Sequence, residues 1–414
     1  MFRNLSLTNI SVISTLLTLV TLAPPASAHR TFQVLHTFAG DSDGSNPYAG
    51  LVFDRAGNLY GTTYNGGITG CHDGRGCGTV FKLAPDGTET VLYAFTGGSD
   101  GADPDAALVV DKAGNLYGTA YYGGSGECND GIYIGCGIVF RLAPDGTETV
   151  LHAFTGGSDG GNPRSALLLD RAGNLYGTTY SGGNPPKCYQ EGCGVVFKLA
   201  PDGKETVLHT FTGGDDGGNP AAGLIADKTG DLYGTTVYWG SNGGGTVFKL
   251  APDGTETVLH AFLELEVNDG SYPYAGVIMD KAGNLYGTTL WGGLAAGVVF
   301  KLAPDGTETI LHDFQDGSDG ASPVSGLTTD GAGNIYGTTQ YGGVRCGDYG
   351  TRCGTVFKIA PEGSETVLHA FRKGKGDGVT PAAALIKDAN GNLYGTTPSL
   401  TLRSGGGTVF ELHK

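Results

Sequence analysis

The sequence is poor in methionine and tryptophan, with two of each, and poor in positive charge, with 25 basic residues against 41 acidic ones. The resulting net charge of −16 disfavours binding to nucleic acid or to an anionic membrane surface. No apolar stripe of helical period runs through the chain, and its commonest residue, glycine, is a poor helix former, so a helical bundle is excluded. Beyond residue 28 no apolar run is long enough to span a bilayer, so no membrane insertion is expected. Glycine at every third position is also missing, which excludes collagen. What is plentiful is glycine, 75 of 414 residues, together with 20 Tyr and 17 Phe. A disordered chain would lack those aromatics. A folded, turn-dense β protein remains.

Residues 1–28 read as a secretory signal peptide, with Arg3 near the start, an apolar stretch from Val12 to Leu22 and Ala26-Ser27-Ala28 as a cleavage signature. The expected organisation is this segment followed by one domain over residues 29–414, secreted or periplasmic, with no C-terminal anchor. The eight cysteines fall in four close pairs: Cys71 with Cys77, Cys128 with Cys136, Cys188 with Cys193, and Cys346 with Cys353. In an exported protein such pairs predict four short disulfide loops. Zinc is the rival reading, but the spacing differs in every pair and only His72 lies near one.

The phrase Asn-Leu-Tyr-Gly-Thr-Thr recurs seven times with small variations, its Tyr at 60, 117, 176, 233, 286, 336 and 394. In each copy an Asp-Gly precedes a Pro by four residues, as in Asp43 and Pro47 or Asp377 and Pro381. A second Asp follows that Pro by seven residues, as in Asp54 and Asp388. A further block, Val-Phe-Lys-Leu-Ala-Pro-Asp-Gly-Thr-Glu-Thr-Val-Leu-His-Ala-Phe, is equally rigid, and length varies after Thr-Thr, where every cysteine lies. Each copy predicts four short strands, in the first copy over Leu51–Asp54, Leu59–Tyr64, Thr79–Leu83 and Thr88–Phe95. Four strands per repeat of this length predict an all-β fold, a seven-bladed β-propeller of four-stranded blades. The last copy ends at its third strand, and Thr31–Phe38 matches the missing fourth, so the N-terminal strand 31–38 should close the ring.

Up-and-down blades place the Ala-Gly-Asn and Pro-Asp-Gly turns on one face, where little room for a site is expected. The disulfide loops and the Asp-Gly-x-x-Pro linkers lie on the other, and function is expected there. A residue present in every copy is read as architectural, which covers the fourth-strand His set (His36, His152, His209, His260, His312, His369). The Asp-Gly set is read as capped turns, or alternatively as a carboxylate ring at the pore binding Ca²⁺. The candidate ligand-binding residues are the aromatics after Thr-Thr: Tyr64, Tyr121, Tyr122, Tyr180, Tyr238, Trp239, Trp291 and Tyr341. Such side chains suit stacking on sugar rings or contact with a protein; the alternative is packing beneath their own loops. The inserted linkers Leu263-Glu264-Leu265-Glu266 and Arg372-Lys373-Gly374-Lys375 are read as solvated. No nucleophile, zinc-protease or phosphate-loop motif is found, and no catalytic residue is assigned.

The recurring Asn-Leu-Tyr-Gly-Thr-Thr, Gly-Thr-Val-Phe-Lys-Leu and Gly-Ser-Asp-Gly-x-x-Pro resemble the bacterial GloVer tandem repeat, over Thr31 to Leu412. The resemblance implies an exported repeat protein and brings no activity with it. A looser similarity, in Asp-x-x-Gly-Asn-Leu-Tyr, is to NHL-type and gluconolactonase-type propellers, whose lactonases hold one Ca²⁺ in the pore. The reading adopted is a monomeric binding or scaffold module for a glycan or protein, without cofactor. The alternatives are a Ca²⁺-dependent lactonase-like hydrolase or lyase with its site in the pore, and a structural cell-surface or matrix component.

Overall fold

The computed structural model describes residues 30–414 except for 69–70, 72–73, 127, 129–133, 184–187, 189–190, 265–268, 295, 347–351, 375 and 400–405. The expected signal peptide therefore lies outside the described residues. Seven four-stranded antiparallel sheets form the seven blades, and no α-helix occurs among the described residues. Blade I comprises Val52–Phe53, Leu59–Thr63, Thr79–Leu83 and Glu89–Ala94. Blades II to VI repeat this order, with second strands Leu116–Ala120, Leu175–Thr179, Leu232–Thr236, Leu285–Thr289 and Ile335–Thr339. Blade VII takes Ile386–Lys387, Leu393–Thr397 and Thr408–Leu412 from the end of the chain and Phe32–Thr37 from its start. Phe32 pairs with Leu412 and Thr37 with Thr408, which closes the ring as expected.

The first strands are shorter than the sequence suggests, two residues each. Their approach is occupied by small residues meeting at the axis: a Cβ on Gly50 would lie 3.4 Å from the Ala384 carbonyl and 3.6 Å from Ala107, one blade on either side. Their far end is lost to the turn, where the Asp54 carboxylate accepts the Ala56 and Asn58 amides at 2.8 and 2.9 Å and the Tyr60 hydroxyl at 3.0 Å. Burial pushes the Asp54 carboxyl up, but the bonds from Asn58, Tyr60 and Ala56 outweigh it and hold the group below its ordinary value.

Two repeated contacts join the blades. The Phe that follows each fourth strand packs edge-on against the third-strand Phe of the next blade, seven pairs with ring centroids 5.1–5.3 Å apart. A second-strand Thr of each blade donates to a carbonyl at the axis of the next, from Thr62 on Ala106 round to Thr396 on Ala49, at 3.0–3.4 Å. All eight cysteines are paired as expected. These bonds fit an extracellular or periplasmic protein. No helix among the described residues is long and apolar enough to cross a membrane.

Candidate functional site

The site is built from one backbone device used seven times. The residue before each linker Pro has positive φ, 52–60°, at Asn46, Asp103, Asn162, Asn219, Tyr272, Ser322 and Thr380. This left-handed conformation is sparsely populated by residues other than glycine. Hydrogen bonds hold it in place: the Asp103 amide donates to the Cys77 carbonyl at 2.9 Å and the Asp103 carbonyl accepts the Tyr121 amide at 3.3 Å. The Asn162, Asn219 and Thr380 amides likewise donate to the carbonyls of Cys136, Cys193 and Cys353. Each disulfide thus anchors the linker turn of the next blade.

The turn aims the residue after Pro at the axis. Those residues are Tyr48, Asp105, Arg164, Ala221, Tyr274, Val324 and Ala382, and all seven line a cavity of about 480 Å³ at the mouth of the channel on the disulfide-loop face. Tyr64, Leu290 and Gln340, each the first residue after Thr-Thr, complete the lining. The mouth differs from blade to blade: Tyr48, Tyr64, Asp105 and Arg164 of blades I to III form its most polar side, while Tyr274 and Gln340 stand among Ala221, Leu290, Val324 and Ala382 on the rest.

At its polar side the Arg164 Nε lies 3.0 Å from Asp105 Oδ2, and the Asp105 side chain is only 9% exposed. Burial pushes Asp105 up and Arg164 pulls it back, whereas Asp105 raises Arg164 further. The guanidinium carbon sits 5.5 Å from the Tyr121 ring centre and 5.9 Å from that of Tyr180, within cation–π range. Tyr238 and Tyr274 share a hydroxyl–hydroxyl bond of 2.8 Å. Burial raises the Tyr48, Tyr64, Tyr180 and Tyr274 hydroxyls, with nearby Asp103 and Asp105 adding to the effect at Tyr64. These phenols stay protonated at neutral pH and offer donors.

Of the eight aromatics expected to bind, Tyr64 lines the mouth, Tyr121 and Tyr180 flank Arg164, and Tyr238 bonds to a mouth residue. Trp239 lines an adjoining hollow. Tyr122 packs edge-on against Tyr121 and against the core between blades I and II. Trp291 and Tyr341 are 46% and 40% exposed on the rim. Sequence reasoning missed Tyr48, Asp105, Arg164 and Tyr274. The signal was present: in an otherwise rigid block, the residue after Pro changes from copy to copy.

The Asp-Gly carboxylates form no ring at the mouth. Asp43 accepts the Ala39 amide at 2.8 Å and Asp100 the Thr96 amide at 2.9 Å, so they are the capped turns of the first reading. Each faces a fourth-strand residue instead, as in His36 at 3.7 Å and His312 to Asp319 at 3.4 Å. Nor does the mouth fit the pore-held Ca²⁺ that a lactonase resemblance implies. Such an ion takes six to eight oxygen ligands, carboxylates among them. The carboxylate in the lining, Asp105, is engaged by Arg164, whose charge opposes a cation.

The turn face departs from expectation. A shallow concavity of about 1170 Å³ lies there across blades III to V, lined by the repeated pairs Asp170-Arg171, Asp227-Lys228 and Asp280-Lys281. Its lining is one motif three times over, so it lacks the dissimilar groups that orient a ligand.

The blade interfaces carry a repeated cluster of their own. A Glu opening the fourth strand of one blade faces the Asp-Gly carboxylate of the linker before it, as in Glu89 with Asp43 and Glu205 with Asp159. In one copy the ligand-capable atoms of His260, Asp269 and Glu308 all lie within 4.8 Å of one another. Burial first, and the neighbouring Asp second, push Glu89, Glu148, Glu205 and Glu365 up to about 7. Glu308 rises to about 7 and Glu256 rises as well. A raised carboxyl stabilises the fold while protonated, and that stability is lost as pH climbs through about 7. Burial lowers His36, His152, His312 and His369 below 6.5, so their contribution grows with pH only up to that value. Above it the glutamates act together with His260, which burial lowers but Asp269 and Glu308 hold above its ordinary value, and whose contribution is likewise lost as pH rises. Tm is expected to fall between pH 6.5 and 8, and Gln at all six Glu positions should flatten that slope. A thermal melt series in both proteins checks this, and an unchanged slope in the variant refutes it.

Among solved structures, a gluconolactonase from Xanthomonas campestris is 13% identical with a TM-score of 0.42, covering 93% of this chain and 89% of that one. A putative gluconolactonase is 14% identical at 0.43, covering 93% and 92%. A luciferin-regenerating enzyme is 12% identical at 0.43, covering 93% and 95%. No curated protein matches the sequence. The family model of the Gloeobacter/Verrucomicrobia repeat matches residues 18–184 and 126–351, more than half of the sequence, and the chain belongs to that repeat family.

Proposed function

We propose that the chain is a glycan-binding propeller that holds its ligand at the channel mouth on the disulfide-loop face. The observation that carries this reading is the convergence there of residues that differ from blade to blade, on a frame that is otherwise the same seven times. The tyrosines offer faces for the apolar side of a sugar ring. Arg164, Asp105 and Gln340 supply donors and acceptors for its hydroxyls, and the unlike groups of successive blades give the ligand one orientation. The test is calorimetry against neutral and charged oligosaccharides. Tyr48→Ala or Gln340→Ala should weaken the best ligand about tenfold, roughly 1.4 kcal/mol. If no oligosaccharide binds the wild type, or both variants bind it unchanged, the reading falls. A protein ligand is the second reading, favoured by Trp291, Leu294 and Tyr341, which are 46%, 61% and 40% exposed. A pull-down that depends on Trp291 and persists in Tyr48→Ala would support it instead.

A further inference from the structure

A second hollow, of about 550 Å³, adjoins the mouth between blades III and IV and the linker to blade V. Four aromatic side chains line it, Tyr180, Tyr238, Trp239 and Tyr272, with two carboxylates, Glu191 and Glu264. Among the described residues of the lining there is no Lys or Arg. Glu264 belongs to the inserted linker: it is exposed, as a solvated segment requires, and it also faces this hollow.

Two of the aromatics stand where the other blades cannot place one. Trp239 occupies the third position after Thr-Thr, where five other copies have Gly66, Gly123, Gly182, Gly292 and Gly342, all with positive φ. Trp239 keeps that conformation, with φ 67°. Tyr272 stands before its Pro where the other copies have Asn, Asp, Ser or Thr, and its φ is 60°. Left-handed backbone is an outlier for bulky side chains, and such outliers cluster where a ligand is held. Both rings are also oriented. The Trp239 indole donates to Asn219 Oδ1 at 3.3 Å, and the Tyr272 hydroxyl donates to Glu264 Oε1 at 2.7 Å. Trp239 further packs against the core that contains Cys188 and Cys193.

Arg164 reaches one of these rings, Tyr180, from the mouth side, which leaves Tyr238, Trp239 and Tyr272 with the two carboxylates as a surface suited to an organic cation. We infer that this hollow binds the ammonium group of an amino sugar bearing a free amine. The inference rests on the glycan reading of the mouth. The Tyr238–Tyr274 bond joins the two sites, because Tyr238 lines the hollow and Tyr274 the mouth. An oligosaccharide seated at the mouth places a neighbouring unit in the hollow.

The experiment is calorimetry with three oligomers of equal length: glucosamine, N-acetylglucosamine and glucose. The wild type should bind the glucosamine oligomer at least tenfold more tightly than the other two, and the preference should shrink with added salt. Glu264→Gln should remove the preference, lowering the glucosamine oligomer's affinity far more than the glucose oligomer's. Trp239→Gly removes a ring face from the hollow and should weaken all three oligomers, the glucosamine oligomer most. Equal affinity for all three oligomers overturns the inference and leaves the glycan reading standing. Failure of every oligomer to bind overturns both. An N-acetyl-lysine amide that outcompetes glucosamine assigns the hollow to a peptide side chain and overturns the amino-sugar assignment.

Discussion

A chain lacking residues 30–38 is expected to lose the cooperative thermal transition of the intact protein. The segment supplies the fourth strand of blade VII, paired with Thr408–Leu412 from Phe32–Leu412 to Thr37–Thr408. Its Phe38 is 2% exposed and packs on Phe81 at 5.1 Å, and the Phe38 amide bonds to the Gly407 carbonyl at 3.0 Å. Phe32 stacks on His369 at 3.9 Å and on Phe410 at 5.4 Å. Deleting a buried Phe side chain costs about 3–5 kcal/mol. The truncation empties one such place at Phe38 and a half-buried one at Phe32, and leaves an unpaired edge between blades VII and I. That loss is comparable with the whole stability of a typical domain, about 5–15 kcal/mol. Calorimetry on the protein with and without the segment decides the matter, and an unchanged melting temperature would disprove closure by this strand.

The second large effect is expected at the third-strand phenylalanines. Phe197→Ala should cost about 3–5 kcal/mol. Phe197 is fully buried, meets Phe154 edge-on at 5.2 Å, and its ring tip lies 2.6 Å from where a Cβ on Gly177 would sit. The Gly of each Tyr-Gly-Thr strand is there to make room for this ring. Because Phe300 has nearly the same surroundings, with Phe262 at 5.2 Å, Gly287 beneath it and Val277 in place of Leu167, Phe300→Ala should cost the same within about 1 kcal/mol. Urea unfolding of both variants provides the comparison. A loss well under 2 kcal/mol at either position would mean that the interface relaxes around the gap.

The features of the frame were legible in the sequence, because the blade pattern was stated seven times in register and exposed both the incomplete last copy and the cysteine pairs in its variable loops. The four strands follow from the spacing, the closure from the match of Thr31–Phe38 to the missing strand, and the disulfides from the local pairing of eight cysteines in a chain read as exported. The candidate site was legible only in part, for two physical reasons. First, side chains alternate along an extended segment. Tyr121 and Tyr122 are neighbours in the chain, yet Tyr121 meets Arg164 while Tyr122 packs into the core between blades. A cluster of aromatics after Thr-Thr therefore splits into those at the mouth and those at the rim. Second, the mouth is assembled across blades. Asp105 and Arg164 are 59 residues apart and meet only because consecutive copies bring the same turn to the axis. The strain at Trp239 and Tyr272 is a backbone property that no spacing expresses.

The turn that presents the residue after Pro separates two quantities that are usually entangled. Its conformation is held by main-chain bonds and, in four of the seven copies, anchored by the disulfide of the preceding blade, so the presented side chain is not what holds the turn. Apart from the paired Asp105 and Arg164, such positions can be exchanged while folding free energy stays nearly constant, much as loop residues change on an immunoglobulin framework. Selection for a new ligand therefore meets little of the usual opposition from stability, and related repeat proteins should differ most at this one place in each copy.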